Sequence, residues 1–138
     1  MDIPKILKFL YPNAIWSIGE DYESLKWPEQ SDPKPSWQQL IDAEPAYLIQ
    51  ATIKEFGLNI QALIDSVAMQ KQYETALHCA SYAASTVDAW NIEAKHFIAW
   101  RDSVWSYSYT ELAKFERGER QAVSFEEFLT ELPTMVWP

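Results

Sequence analysis

Apolar residues recur at helical spacing from the first turn of the chain. Ile3, Ile6, Leu7 and Leu10 stand at i, i+3, i+4 and i+7, which predicts a short helix over 2–11. Pro4 is tolerated in its first turn, and Pro12 ends it. The period then drops to two. Ala14, Trp16 and Ile18 take alternate positions, as do Leu25 and Trp27 beyond an acidic Gly19-Glu20-Asp21 loop. Both halves place apolar side chains on one face, the pattern of a small β-hairpin. Pro28, Pro33 and Pro35 then make an extended connection.

Helical spacing returns after Ser36-Trp37-Gln38-Gln39, a Ser-x-x-Gln capping box. Pro45 is expected to kink or split the helix it opens, and Gly57 to cap its end. Asn59 then predicts a second start, with Ile60, Leu63, Ile64 and Val67 on one face. Gln70-Lys71-Gln72 interrupts it before Tyr73, Leu77 and Ala80 resume. Ala80, Ala83 and Ala84 are small enough for a neighbouring helix to approach, and Ser85 and Asp88 have capping-box spacing.

The longest predicted helix covers 87–117. Its polar stripe is narrow, through Lys95, Ala99, Asp102, Ser106, Thr110 and Arg117, and the rest is rich in Trp, Tyr and Phe. An ordinary surface helix has one apolar face, so this one must pack on two sides, as a central helix or with one side on a partner. Gly118 stops it, Ser124-Phe125-Glu126-Glu127 opens a short helix by a second capping box, and Pro133 ends that one. The expected fold is mainly α (α+β overall): a helix and β-hairpin segment over 1–30, a proline-rich linker over 31–36, and a module of three to four helices with an apolar C-terminal tail over 37–138.

A chain of 138 residues can bury a core without disulfides, and its one cysteine, Cys79, has no partner for an internal bridge. Its formal charge is −9, from 20 acidic against 11 basic residues, with no basic cluster to attract phosphates or anionic lipid. Nucleic-acid and membrane partners are therefore not expected. No apolar run is long enough to span a bilayer, and the first residues lack the pattern of a signal peptide, so a cytoplasm is the expected compartment.

No set of residues prepares a reaction. His78 and His96 have no metal-ligand spacing with each other or with Cys79, which stands among Leu77, Ala80 and Tyr82 like a small buried hydrophobe. Glu126 and Glu127 belong to a helix start, the Glu20-Asp21-Glu23 loop lacks a calcium-loop pattern, and three glycines cannot form a phosphate cradle. No catalytic, metal or cofactor residues are assigned, and no enzymatic activity is expected. Seven Trp and seven Tyr instead fit either a core or a protein-binding surface. Arg101-Asp102, among these rings, reads either as a structural tie or as an interface anchor. Trp137, one residue from the chain end, calls for a docked tail, on its own body or on a partner.

Taken in order, Phe97 to Trp105, the Gly118-Glu119-Arg120 turn, the Ser124-Phe125-Glu126-Glu127 start and the Leu132-Pro133-x-x-x-Trp137-Pro138 ending resemble the tail assembly chaperone family of tailed bacteriophages. Ile60 to Ala84 is similar to the segment that often precedes them. Tyr11-Pro12-x-Ala14-x-Trp16, Tyr22, Leu25, Trp27 and the Pro33-Lys34-Pro35-Ser36 link are similar to short phage tail and fibre-assembly proteins. The resemblance implies a non-enzymatic protein, without cofactor, that binds a tail-fibre or baseplate protein in the host cytoplasm during assembly and can form an oligomer with the fibre. The residues expected at the partner are Trp16, Trp27, Trp100, Arg101, Trp105, Met135 and Trp137. A permanent virion component, such as a baseplate or tail-fibre adaptor, is the alternative.

Overall fold

A carboxylate opens the first helix: Asp2 accepts from the Lys5 amide at 3.2 Å and caps α1, Ile3–Leu10, with Pro4 in its first turn. A computed structural model describes the whole of residues 1–138 and contains five α-helices and no β-sheet. The others are α2 (Trp37–Met69), α3 (Ala76–Ser81), α4 (Asp88–Glu116) and α5 (Phe125–Glu131). Short 3-10 turns occur at Tyr22–Ser24 and Tyr82–Ala84. The mainly α expectation holds.

The chain forms two compact units, Met1–Ala51 and Thr52–Pro138. In the first, Ile6 and Leu7 of α1 meet Leu25 and Leu40, with Trp16, Ile18, Trp27 and Tyr47 packed around them. The proline segment belongs to this unit. Pro35 is buried, its carbonyl accepts from the Tyr22 hydroxyl at 2.8 Å, and the Lys34 ammonium donates to the Leu25 carbonyl at 3.0 Å.

The expected β-hairpin does not form. Ser17 and Lys26 make one isolated antiparallel bridge and nothing extends it. Side chains have taken the backbone groups a ladder would use. The Gln30 amide pairs with both the N–H and the C=O of Ile15, at 2.9 and 3.0 Å. The Ser24 hydroxyl accepts from the Gly19 amide at 2.7 Å and donates to the Asp21 carbonyl at 2.6 Å. Such local bonds compete directly with strand pairing. Alternation reports which side chains face inward, and it does so here without a sheet.

The expected break between residues 45 and 59 is also absent. The Ser36 capping box forms, with Ser36 and Gln39 exchanging both bonds, and α2 then runs 33 residues through Pro45 and Gly57. Pro45 forfeits one backbone bond, but Leu40, Ala43 and Tyr47, on either side of it, share one packed face. Gly57 and Asn59 lie within a stripe, Phe56, Ile60, Leu63, Ile64 and Val67, that packs into the second core. Continuous burial outweighs a local stop signal worth about 1 kcal/mol. The interruption at 70–72 does occur, with Gln72 at φ 67°. Thr75 then caps α3.

In the second unit Ile60, Ile64, Val67 and Ala68 of α2 pack with Tyr73, Cys79, Phe97, Trp100, Val104, Phe128 and Leu132. The backbones of α3 and the Tyr82–Ala84 turn lie closest to α4. Helix α4 starts two residues later than the Ser85–Asp88 box implied. Val87 holds the N-cap without a side-chain bond, because the Ser85 hydroxyl accepts from the Val87 amide instead. Its predicted polar stripe is exposed at all six positions, while Ala94, Phe97, Trp100, Val104 and Ser108 are buried. The Ser124–Glu127 capping box forms as expected.

The two helix-associated glycines should respond oppositely to substitution. Gly118 sits at φ 73° beyond the end of α4, so Gly118→Ala should lose about 1 kcal/mol. Gly57 lies mid-helix with nothing within 4 Å of an added Cβ, so Gly57→Ala should gain about 0.5–1 kcal/mol. Urea unfolding of both variants checks this, and a destabilised Gly57→Ala would mean the groove over Gly57 is closed in solution.

Candidate interaction surface

The second-unit residues expected at a partner divide between the core and a groove. Trp100 is only 8% exposed, and its indole N–H donates to the Pro133 carbonyl at 2.7 Å. Trp137 lies nearly parallel to Phe97, centroids 5.9 Å apart and planes at 10°, with the Lys71 ammonium 5.7 Å from its ring. Its indole N–H is 3.4 Å from Gln70 Oε1. Met135 packs on the same core. The C-terminal tail therefore docks on its own body, held by one buried indole and one half-buried one.

Arg101 pairs with its own neighbour. Its Nε and Nη2 both donate to Asp102 Oδ1, at 2.9 and 2.8 Å. In the first unit Trp16 and Trp27 are half-buried against Ile6, Leu7, Leu25 and Leu40. Trp27 stands edge-on to Tyr11 at 5.3 Å and donates to the Asp32 carbonyl at 2.8 Å.

Trp105 is half-buried against the same core and also borders a groove. It stacks on Tyr109, one helical turn on, at 5.2 Å and 24°, and Tyr109 is 66% exposed. This pair forms one wall of a groove of about 370 Å³ between α2 and α4, whose other lining includes Ile53, Gly57, Leu112 and Ala113. The glycine leaves the α2 backbone bare on the groove floor, where nothing in the chain approaches it. An aromatic wall beside a bare helix backbone admits a side chain from outside at close range. The (i, i+4) spacing of Trp105 and Tyr109 was readable in the sequence; the opposing Gly57, 48 positions earlier, was not.

A second feature had no sequence signal beyond its residue types. Arg120, in the turn after α4, donates to Glu111 Oε2 at 2.5 Å, Glu131 Oε1 at 2.5 Å and Glu131 Oε2 at 2.9 Å. The Tyr107 hydroxyl donates to Glu131 Oε2 at 2.5 Å, and the guanidinium lies 5.4 Å from the Phe128 ring centroid. Arg120 and Tyr107 hold the Glu131 carboxyl below its usual range, and Lys114 and Arg120 do the same for Glu111. The cluster clamps α5 to α4.

Cys79 is fully buried, and desolvation, with the Glu93 charge second, pushes its thiol up to about 11. It is a protonated core residue at neutral pH. One ring nitrogen of each histidine is engaged with the backbone, His78 Nδ1 with the Glu74 amide and His96 Nδ1 with the Ile92 carbonyl. No three His, Cys, Asp or Glu side chains gather as a metal site, and no helix is long and apolar enough to cross a membrane. No protein-family model, curated protein or solved structure matches the chain.

Proposed function

We propose that this protein is a non-enzymatic tail or tail-fibre assembly chaperone of a bacteriophage, acting in the host cytoplasm, and that it grips a structural tail protein through the Trp105–Tyr109 groove. The observation that carries the binding part is the stacked pair of half-buried Trp105 and exposed Tyr109 facing an unfilled helix backbone at Gly57. Trp and Tyr bordering a concave apolar site are the usual anchors of protein recognition. The phage assignment rests on the ordered resemblance of residues 97–138. A formal charge of −9 would keep a complex with an aggregation-prone fibre chain in solution.

Co-expression with the tail-fibre protein of the same phage tests the reading. The fibre should be soluble and co-purify with this chain, and an unchanged fibre in its absence ends the chaperone claim. The variant Trp105→Ala/Tyr109→Ala should lose co-purification by about 100-fold in affinity while keeping its helical signal. Gly57→Leu, which fills the groove from beneath, should do the same. Binding undiminished by both changes would move the interface elsewhere.

Two separate compact units also favour a second reading, a permanent adaptor that joins two virion parts. Stoichiometric presence in purified virions would select the adaptor, and absence the transient chaperone.

A further inference from the structure

The second unit contains a pocket that neither the groove nor the tail explains. Four rings meet around it. Tyr73 follows α2, His78 lies on α3, Tyr82 in the 3-10 turn and Trp90 in the first turn of α4. Tyr73 and His78 stand at 88° with centroids 5.8 Å apart, and Tyr82 and Trp90 at 86° and 5.6 Å. Tyr82 also contacts Tyr73 and His78, each at 5.5 Å, with tilts of 52° and 54°. Glu93, three residues after Trp90 on the same face of α4, completes a lining around about 210 Å³.

The local fold explains the convergence. The left-handed Gln72 turns the chain out of α2, and the Asp65 carboxylate accepts from the Ala76 amide at 2.8 Å to fix the start of α3. Asn91 then donates to the Ala83 carbonyl at 2.7 Å, tying the 3-10 turn to α4. The walls are thus preset by bonds outside the pocket.

Glu93 is the anomaly. Its Oε2 is sealed from solvent and has no hydrogen-bond partner, and its carboxylate makes no ion pair. The oxygen lacks a polar partner, and a cation seated beside it would supply one. The lining includes one lysine, Lys71, whose ammonium lies over the Trp137 ring. Three electron-rich rings beside a carboxylate oxygen without a partner form a receptor for a soft, weakly hydrated cation, which gains from the ring quadrupoles and from the carboxylate together. A strongly hydrated metal ion would want more oxygen ligands than one carboxylate supplies.

We propose that the pocket lined by Tyr73, Tyr82, Trp90 and Glu93 binds an alkylated ammonium head group, seated against the rings and neutralising Glu93. The head group can come from a free small cation or from a modified lysine of a protein. This site is separate from the Trp105–Tyr109 groove, so each proposal fails without touching the other.

The test is NMR titration of the full chain with tetramethylammonium chloride, with tert-butanol as the uncharged probe of similar shape. Shifts should localise to the Trp90 indole N–H and to Tyr73, Glu93 and their neighbours, with the uncharged probe producing none. Glu93→Gln should weaken tetramethylammonium binding by about tenfold, with its melting temperature unchanged or raised because an unpaired charge is gone. Trp90 is 47% exposed, so Trp90→Ala should remove binding while the circular-dichroism signal and melting transition are kept. Lys71→Gln should tighten binding, since a like charge leaves the rim. Nα-acetyl-trimethyllysine methylamide in parallel assigns the source: tighter binding than tetramethylammonium favours a lysine side chain, and equal binding a free cation. Equal shifts with tert-butanol, or equal affinity in wild type and Glu93→Gln, would overturn the proposal.

Discussion

Trp100→Ala should lower the unfolding free energy by about 3–5 kcal/mol, the largest effect expected from a single substitution in this chain. The ring is buried against Phe97 at a centroid distance of 5.7 Å, inside the cluster that includes Ile60, Ile64 and Phe128. Truncation leaves a cavity at a junction of helices, and it orphans the Pro133 carbonyl that now accepts the indole N–H. At this chain length the melting temperature should fall by roughly 10 °C or more. Trp100→Phe divides the two contributions. It retains most of the apolar volume and loses the hydrogen bond, so a smaller loss of about 1–2 kcal/mol is expected. Resonances of Thr134 to Trp137 should move toward random-coil shifts in both variants, because the same bond anchors the tail. A Trp100→Ala protein that melts normally but loses a protein partner would make this indole an interface residue after all.

Arg120→Ala is the second. One guanidinium serves Glu111 on α4 and Glu131 on α5, and its exposure is 17%. Removing it leaves Glu131 without a cation beside the Tyr107 hydroxyl, while Glu111 keeps only Lys114, whose ammonium donates to its Oε1 at 2.7 Å. Allowing for partial solvent access, a loss of about 2 kcal/mol is expected, with α5 loosening before the rest of the chain. Arg120→Lys keeps the charge but not the planar fork, and should recover less than half of it. Exchange at the α5 amides, read beside the global unfolding curve, separates local release from global loss. Uniform destabilisation with α5 still protected would count against the clamp.

The clamp also sets a pH window. Glu131 and Glu111 are held below the usual glutamate value of 4.5 in the folded protein. The folded state therefore binds fewer protons than the unfolded one around that pH. The stabilisation is full above about 4.5 and is lost as pH falls through the lower folded values. Tyr107 moves the other way. The adjacent Glu131 carboxylate, and burial after it, raise its phenol above the usual 10.0, so its contribution is full below 10 and fades as pH rises through the higher folded value. Wild type should lose α5 protection on the acid side, and Arg120→Ala should show a shallower acid dependence.

Local signals carried far in this chain. The caps at Ser36 and Ser124, the left-handed Gly118, the break at 70–72 and the exposed stripe of α4 were all legible, because each depends on a residue's own backbone or on neighbours within one turn. The expectations that failed were local rules overruled at a distance. Gly57 does not end a helix because core burial continues through Ile60 and Ile64. The hairpin gave way to the Gln30 amide, fifteen residues from the Ile15 groups it occupies.

The sites follow the same division. Sequence alone determined that the chain is mainly helical, strongly acidic and rich in Trp and Tyr, since composition and periodicity need no partner to be read. Tertiary structure alone decided which aromatics face inward. Trp100 and Trp105 are five positions apart on one helix, and the first meets Pro133 while the second flanks the groove above Gly57. The difference lies in what the fold sets opposite each ring. The Arg120 clamp and the Glu93 pocket arise likewise from groups far apart in the chain, whose meeting costs chain entropy that only the assembled core can offset.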